Sequence, residues 1–154
     1  MELSQIKDKL LGKWSGNNLL RLSWETPSDY FSDSILSVSS IAQDKALMVH
    51  YSWSYKDKAQ EGTIMLAYDT KEHIVTASWI DSWHMSDKVM FCKGTITEQN
   101  IDVLGSYEAS PGPDWGWRII LNSISDNELQ MLMYNITPDG LEDLAVKADY
   151  NCLS

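Results

Sequence analysis

Glu72-His73-Ile74-Val75-Thr76-Ala77-Ser78-Trp79-Ile80-Asp81-Ser82-Trp83-His84 alternates β-branched and aromatic residues with small polar ones, the pattern of a strand with one face buried. Successive side chains of a strand point to opposite faces, so Val75, Ala77, Trp79, Asp81 and Trp83 share one face. Thr76, Ser78, Ile80 and Ser82 share the other. One carboxylate therefore stands between two indoles. If that face is the inner one, Asp81 is either a lone charge in an apolar lining or a paired one.

The same period of two extends in both directions along the chain. Trp14 to Trp24, Ile35 to Ala42, Leu47 to Tyr55, Thr63 to Tyr68, Ile74 to Trp83, Lys88 to Thr95, Ile101 to Tyr107, Trp115 to Ser125, Leu129 to Ile136 and Leu141 to Tyr150 all read as strands, about ten in number. Most links are short and polar, such as Gln43-Asp44-Lys45, Lys56-Asp57-Lys58 and Thr137-Pro138-Asp139-Gly140, so neighbours in sequence pair antiparallel. Two longer connections, Glu25 to Ser34 and Ala109 to Asp114, have the length and composition of loops that line a mouth. Ahead of the first strand, Leu3, Ile6, Leu10 and Leu11 recur at helical spacing and predict a short amphipathic helix that needs an apolar surface to lie on. An all-β, up-and-down antiparallel meander of about ten strands leaves exposed edges unless it closes into a barrel. A barrel above about eight strands has room inside that side chains alone do not fill. The competing architecture is a two-sheet sandwich with a dry core.

The 154 residues suit a single domain spanning 1–154. A net charge of −10 sets the surface against phosphate backbones and anionic membranes, and Arg21 and Arg118 are the sole arginines. Nucleic acid and membrane are thus excluded as expected partners. Met1 to Asp8 lacks the pattern of a secretory signal and no apolar run is long enough to span a bilayer, which makes the cytoplasm the expected location. Cys92 and Cys152 lie far apart without a CxxC or a His/Cys cluster and read as reduced thiols.

Gly12-Lys13-Trp14, following a short helix and opening the first strand, resembles the Gly-x-Trp motif of the calycin superfamily, which includes lipocalins and fatty-acid-binding proteins. Ala67-Tyr68-Asp69-Thr70, Trp79-Ile80-Asp81-Ser82, Gly94, Trp117-Arg118 and Thr137-Pro138-Asp139-Gly140, in this order, resemble a bacterial family of lipocalin-like barrels known as a domain of unknown function. The resemblance spans nearly the whole chain. It implies a calycin-type barrel with an internal cavity and carries no catalytic assignment. Haem-binding relatives with a similar barrel use a late histidine as axial ligand, whereas no histidine follows His84 here.

Seven tryptophans are the strongest chemical signal, since each buried indole wants an acceptor for its N–H. The lining expected to meet a ligand comprises Trp14, Tyr51, Trp53, Trp79, Asp81, Trp83, Arg118, Met131 and Met133. Arg118 joins them only if its face is inward, where it pairs with Asp81 or holds a ligand carboxylate; Met131 and Met133 suit either an adaptable core or a pocket for varied apolar shapes. Asp81 is also the best candidate for acid or base work. His50, facing opposite Tyr51 and Trp53, and His84, beside a turn, are not expected to partner it. No nucleophile elbow, zinc-protease helix, phosphate loop or spaced metal set occurs, so no catalytic residue, metal or cofactor is assigned. The expected function is binding of a small hydrophobic or amphipathic molecule in an aromatic-lined cavity. The competing readings are an enzyme using Asp81 and a filled barrel that acts as a homodimeric interaction module.

Overall fold

A computed structural model describes residues 2–153. Helix α1 (Leu3–Leu10) precedes ten strands: β1 (Gly12–Arg21), β2 (Asp29–Ile41), β3 (Ala46–Tyr55), β4 (Lys58–Asp69), β5 (Ile74–Asp81), β6 (Met90–Ile96), β7 (Asn100–Tyr107), β8 (Trp115–Ser125), β9 (Glu128–Ile136) and β10 (Glu142–Leu153). Each strand pairs antiparallel with its neighbours in sequence, and β1 pairs with β10 from Lys13↔Leu153 to Leu20↔Val146, so the sheet closes on itself. The expected meander barrel with its short helix is therefore the fold. No free edge is left to template association. Among the described residues no helix is long and apolar enough to cross a membrane.

Alternation sets what lies inside. Leu47, Val49, Tyr51 and Trp53 of β3, Val75, Ala77, Trp79 and Asp81 of β5, and Leu129, Met131 and Met133 of β9 are all buried. They meet inward-facing residues from every other strand in one continuous core. The side chains between them are half-buried or, like His50 and Ile80, exposed.

The two ends of the barrel differ. At one end, the connections 42–45, 70–73, 97–99 and 126–127 are short, and α1 lies across the opening with Leu3, Ile6 and Leu10 buried. Trp14 donates its indole N–H to the Leu10 carbonyl at 2.9 Å, and Lys9 reaches the Glu98 carbonyl at 2.7 Å. A helix of this length is unstable by itself, so its apolar stripe and these tethers are what hold it as a lid. The other end carries the connections 22–28, 82–89 and 108–114 and has no helix over it.

β1 ends at Arg21 where the sequence reading runs to Trp24, and β4 begins at Lys58 where it begins at Thr63; two further boundaries bear on the site. Asp29 to Ser34 are strand, not loop, because β2 runs on to pair Asp29 with Arg21, and that pair is locked by a guanidinium–carboxylate contact of 2.8 Å. β5 stops at Asp81, so Trp83 does not share its face as an extended residue; the chain turns there for a reason given below.

Ile6 is fully buried in the lid–core contact. Ile6→Ala is expected to lower stability by about 2–4 kcal/mol in urea unfolding followed by tryptophan fluorescence, with the slope unchanged. A loss below about 1 kcal/mol would show that the lid is not part of the cooperative unit.

Candidate functional site

Asp81 is the last residue of β5, at the lidless end, and its side chain is 1% exposed. Its Oδ2 accepts the Tyr51 hydroxyl at 2.7 Å and the Trp53 indole N–H at 3.2 Å. Its Oδ1 accepts the backbone N–H groups of Trp83 at 2.8 Å and His84 at 3.1 Å. Contacts to residues two and three ahead are the Asx-turn pattern, and they explain why the strand ends here: the carboxylate itself folds Ser82–His84 back over the barrel. All four partners are donors, which is the set an ionised carboxylate takes. Asp81 is thus neither a lone charge nor half of an ion pair. Neutral donors surround it.

The network continues outward from Tyr51. Its hydroxyl accepts the Trp79 indole N–H at 2.9 Å while donating to Asp81. Burial, and then the adjacent carboxylate, push the Tyr51 hydroxyl well above its ordinary pKa, so it stays a donor across the working pH range. The ring lies across Gly62, the β4 residue paired with both Tyr51 and Asp81. A Cβ at Gly62 would come within 2.2 Å of the Tyr51 ring and hydroxyl, so glycine is what makes space for the tyrosine.

The turn folded by Asp81 delivers His84 into an aromatic enclosure. Its ring stacks on Trp53 (centroids 5.5 Å apart, 30° between planes), meets Trp83 edge-on at 4.9 Å and lies tilted 5.7 Å from Trp79 and 5.4 Å from Trp117. Trp79 and Trp117 stack on each other at 5.3 Å and 10°. Neither His84 ring nitrogen has a protein hydrogen-bond partner among the described residues. Burial among the indoles lowers the His84 pKa from 6.5, with the Asp81 charge opposing. His84 is half-buried and borders two spaces. One, of about 70 Å³, lies between it, Trp83, Trp117 and Leu20, Leu22 and Leu144. The other is an open cleft of about 610 Å³ between the 82–89 connection and β7. Trp117 is 7% exposed and its Nε1–H is buried without an acceptor.

The structure brings together Tyr51, Trp53, Trp79, Asp81 and Trp83 of the expected lining and adds His84 and Trp117. It places the others elsewhere. Trp14 is at the lidded end. Met131 and Met133 are fully buried in β9, within the core. Arg118 alternates with inward Trp117 and Ile119, so it stands on the outer wall, where it grips Asp102 at 2.8 Å and Glu142 at 2.7 Å and touches neither Asp81 nor the mouth. The imidazole was missed because strand parity ends where the Asx turn begins; Asp-Ser-Trp-His at a strand end was the available signal. As an acid or base Asp81 is poorly placed, because each of its oxygens is already occupied by two protein donors. Cys92 and Cys152 are free thiols, and burial pushes Cys92 up to about 11. Among the described residues no group of three or more His, Cys, Asp or Glu side chains is placed to hold a metal ion.

Residues 5–151 match the family described as "Protein of unknown function (DUF1579)". Among solved structures, the chain is similar to the crystal structure of Rv2717c from M. tuberculosis, with 13% identity and a TM-score of 0.66 over 97% of this chain and 96% of that one; at that identity the likeness is one of fold. No curated protein matches the chain.

Asp81→Asn turns one acceptor oxygen into a donor facing donors. It is expected to cost about 2–4 kcal/mol in urea unfolding and to change the near-ultraviolet circular dichroism of the indoles; a change under about 0.5 kcal/mol would mean the four contacts do not form. For His84 the folded-state pKa lies below the unfolded one, so its contribution to stability is present above about pH 6.5 and lost as pH falls through the folded value. Titration of the His84 ring signals by NMR is expected to give a midpoint below the ordinary histidine value of about 6.5, and a midpoint at or above it would contradict the enclosure.

Proposed function

We propose that this chain, which belongs to the DUF1579 family of proteins of unknown function, is a small-molecule-binding barrel that takes an apolar or amphipathic molecule at its lidless, indole-rich end. The observation that carries the reading is the His84 ring held among Trp53, Trp79, Trp83 and Trp117 with unpartnered nitrogens beside open volume. A core built only for stability satisfies or omits its polar groups. Aromatic walls with a few convergent polar groups are instead what small-molecule sites present. The lipocalin-like resemblance points the same way, and the lid on the opposite end directs a ligand to this one.

N-phenyl-1-naphthylamine, an uncharged apolar fluorophore, is a suitable probe because the indoles transfer excitation to it. The expected result is saturable energy transfer near one equivalent, weakened about tenfold by Trp83→Ala at the mouth and unchanged by Trp14→Phe at the lidded end. Absence of saturable transfer, or equal loss in the two variants, would overturn the reading.

A further inference from the structure

The small space beside His84 has a chemical polarity of its own. Three groups bordering it are donors with no protein acceptor among the described residues. Trp117 carries the buried, unpartnered Nε1–H. Asn135, its cross-strand partner on β9, spends Oδ1 on the Tyr107 hydroxyl at 2.5 Å, which leaves its Nδ2 hydrogens. Neutral His84 offers one ring N–H. A buried donor without an acceptor is costly, and here that one from Trp117 and two from half-buried Asn135 and His84 converge from two strands and a turn on one space of about 70 Å³. That volume is about half of the cavity that admits a benzene ring. It takes a head group, not a whole ligand.

Charge narrows the class. Arg21, the cation at the rim, already holds Asp29 through two contacts of 2.8 and 3.1 Å. The Asp81 carboxylate lies behind His84, joined to its backbone N–H at 3.1 Å, and Asp143 stands at the edge of the same space. An anionic head would enter a negative field with no cation besides Arg21 among the described residues that line this space. A cationic head, though favoured by that field, would meet the Trp117 and Asn135 N–H groups at the inner end and have Asp143 only at the edge. The side walls, Leu20, Leu22 and Trp83, are apolar, and Trp24, 74% exposed, forms the lip.

From this geometry we infer that the space beside His84 is a head-group subsite for an uncharged hydrogen-bond acceptor, such as an amide or other carbonyl, on an apolar body that lies outward along Trp24. Trp117 and Asn135 donate to the carbonyl oxygen, and His84 closes the third side. The inference rests on the reading that the lidless end binds ligands and adds the chemistry of the head.

Three probes of one tail length separate the possibilities: hexanamide, hexanoate and hexylammonium, titrated calorimetrically into the intact protein at pH 7.5. Hexanamide is expected to bind at least tenfold more tightly than either ion. Trp117→Phe, which keeps the stack on Trp79 and removes the N–H, is expected to erase most of that tenfold preference, and Asn135→Leu to reduce it. If Trp117→Phe fails to fold, Asn135→Leu alone carries the test. Equal affinity for the three heads, tighter hexanoate, or an undiminished amide preference in the variants overturns the subsite. N-phenyl-1-naphthylamine separates the two levels: probe binding without head discrimination sinks the subsite alone, and absence of any binding sinks both.

Discussion

A carboxylate taken into a protein interior costs several kcal/mol unless its oxygens are supplied with donors, and the open half of this barrel is arranged to supply them to Asp81. The donors come from β3, through Tyr51 and Trp53, and from the turn after β5, through two backbone N–H groups. β4 contributes by withholding a side chain, since Gly62 leaves the room in which the Tyr51 ring lies. Removing any one donor leaves the charge under-satisfied, so the three strands and the turn are bound to a single geometry. That makes Asp81 a keystone of position, which is a different task from proton transfer.

The same constraint determines where ligand-competent groups are found. Because Asp81 curls the chain over itself, His84 is pressed into the space framed by Trp53, Trp79, Trp83 and Trp117. The indoles differ in how their N–H groups are used. Trp14 donates to a helix carbonyl, Trp53 to Asp81 and Trp79 to Tyr51; each of these fastens the fold. Trp117, also buried, donates to no acceptor among the described residues. In a protein whose other core indoles are so consistently employed, the contrast marks the place where an acceptor from outside fits.

Much of the architecture was legible in the chain because the period of two is unbroken: the inward rows of β3, β5 and β9 follow directly from alternation, and short polar links force antiparallel neighbours. Closure followed from the need to bury edges. What alternation could not convey was everything that depends on leaving a strand. Asp81 was grouped with Val75, Ala77 and Trp79 on one face whose direction was left open, and its satisfaction by a turn, and hence the inward swing of Trp83 and His84, belongs to Asx geometry that a parity argument does not contain. Arg118 shows the same limit from the other side. The sequence left the direction of Arg118 open, and only its contacts with Asp102 of β7 and Glu142 of β10 show why an arginine on the outer wall is held there. Trp14, Met131 and Met133 were expected in the lining of an internal cavity; they lie in the core, Trp14 against the lid, since a pattern along one strand does not say whether the space beside it is filled.

Ring size alone would give ten strands a broad interior, but this sequence spends that room. Large residues occupy successive levels along the axis: α1 and Trp14 at the lid, then Met131 and Met133 across the middle, then Tyr51, Trp79 and Trp117 below the mouth. The interior volume at the mouth that borders His84 is about 70 Å³, next to an outer cleft of about 610 Å³. A binding role for this barrel is therefore one of shallow capture, in which a ligand inserts a compact polar end against Trp117 and keeps its bulk at the rim. Deep enclosure of a long chain would require displacing a core whose members are each nearly fully buried, at about 2–5 kcal/mol for every large side chain left without its neighbours. Specificity in such a site falls on hydrogen bonding at its end more than on the length of the cavity, because an unpaired buried donor discriminates more sharply than an added methylene.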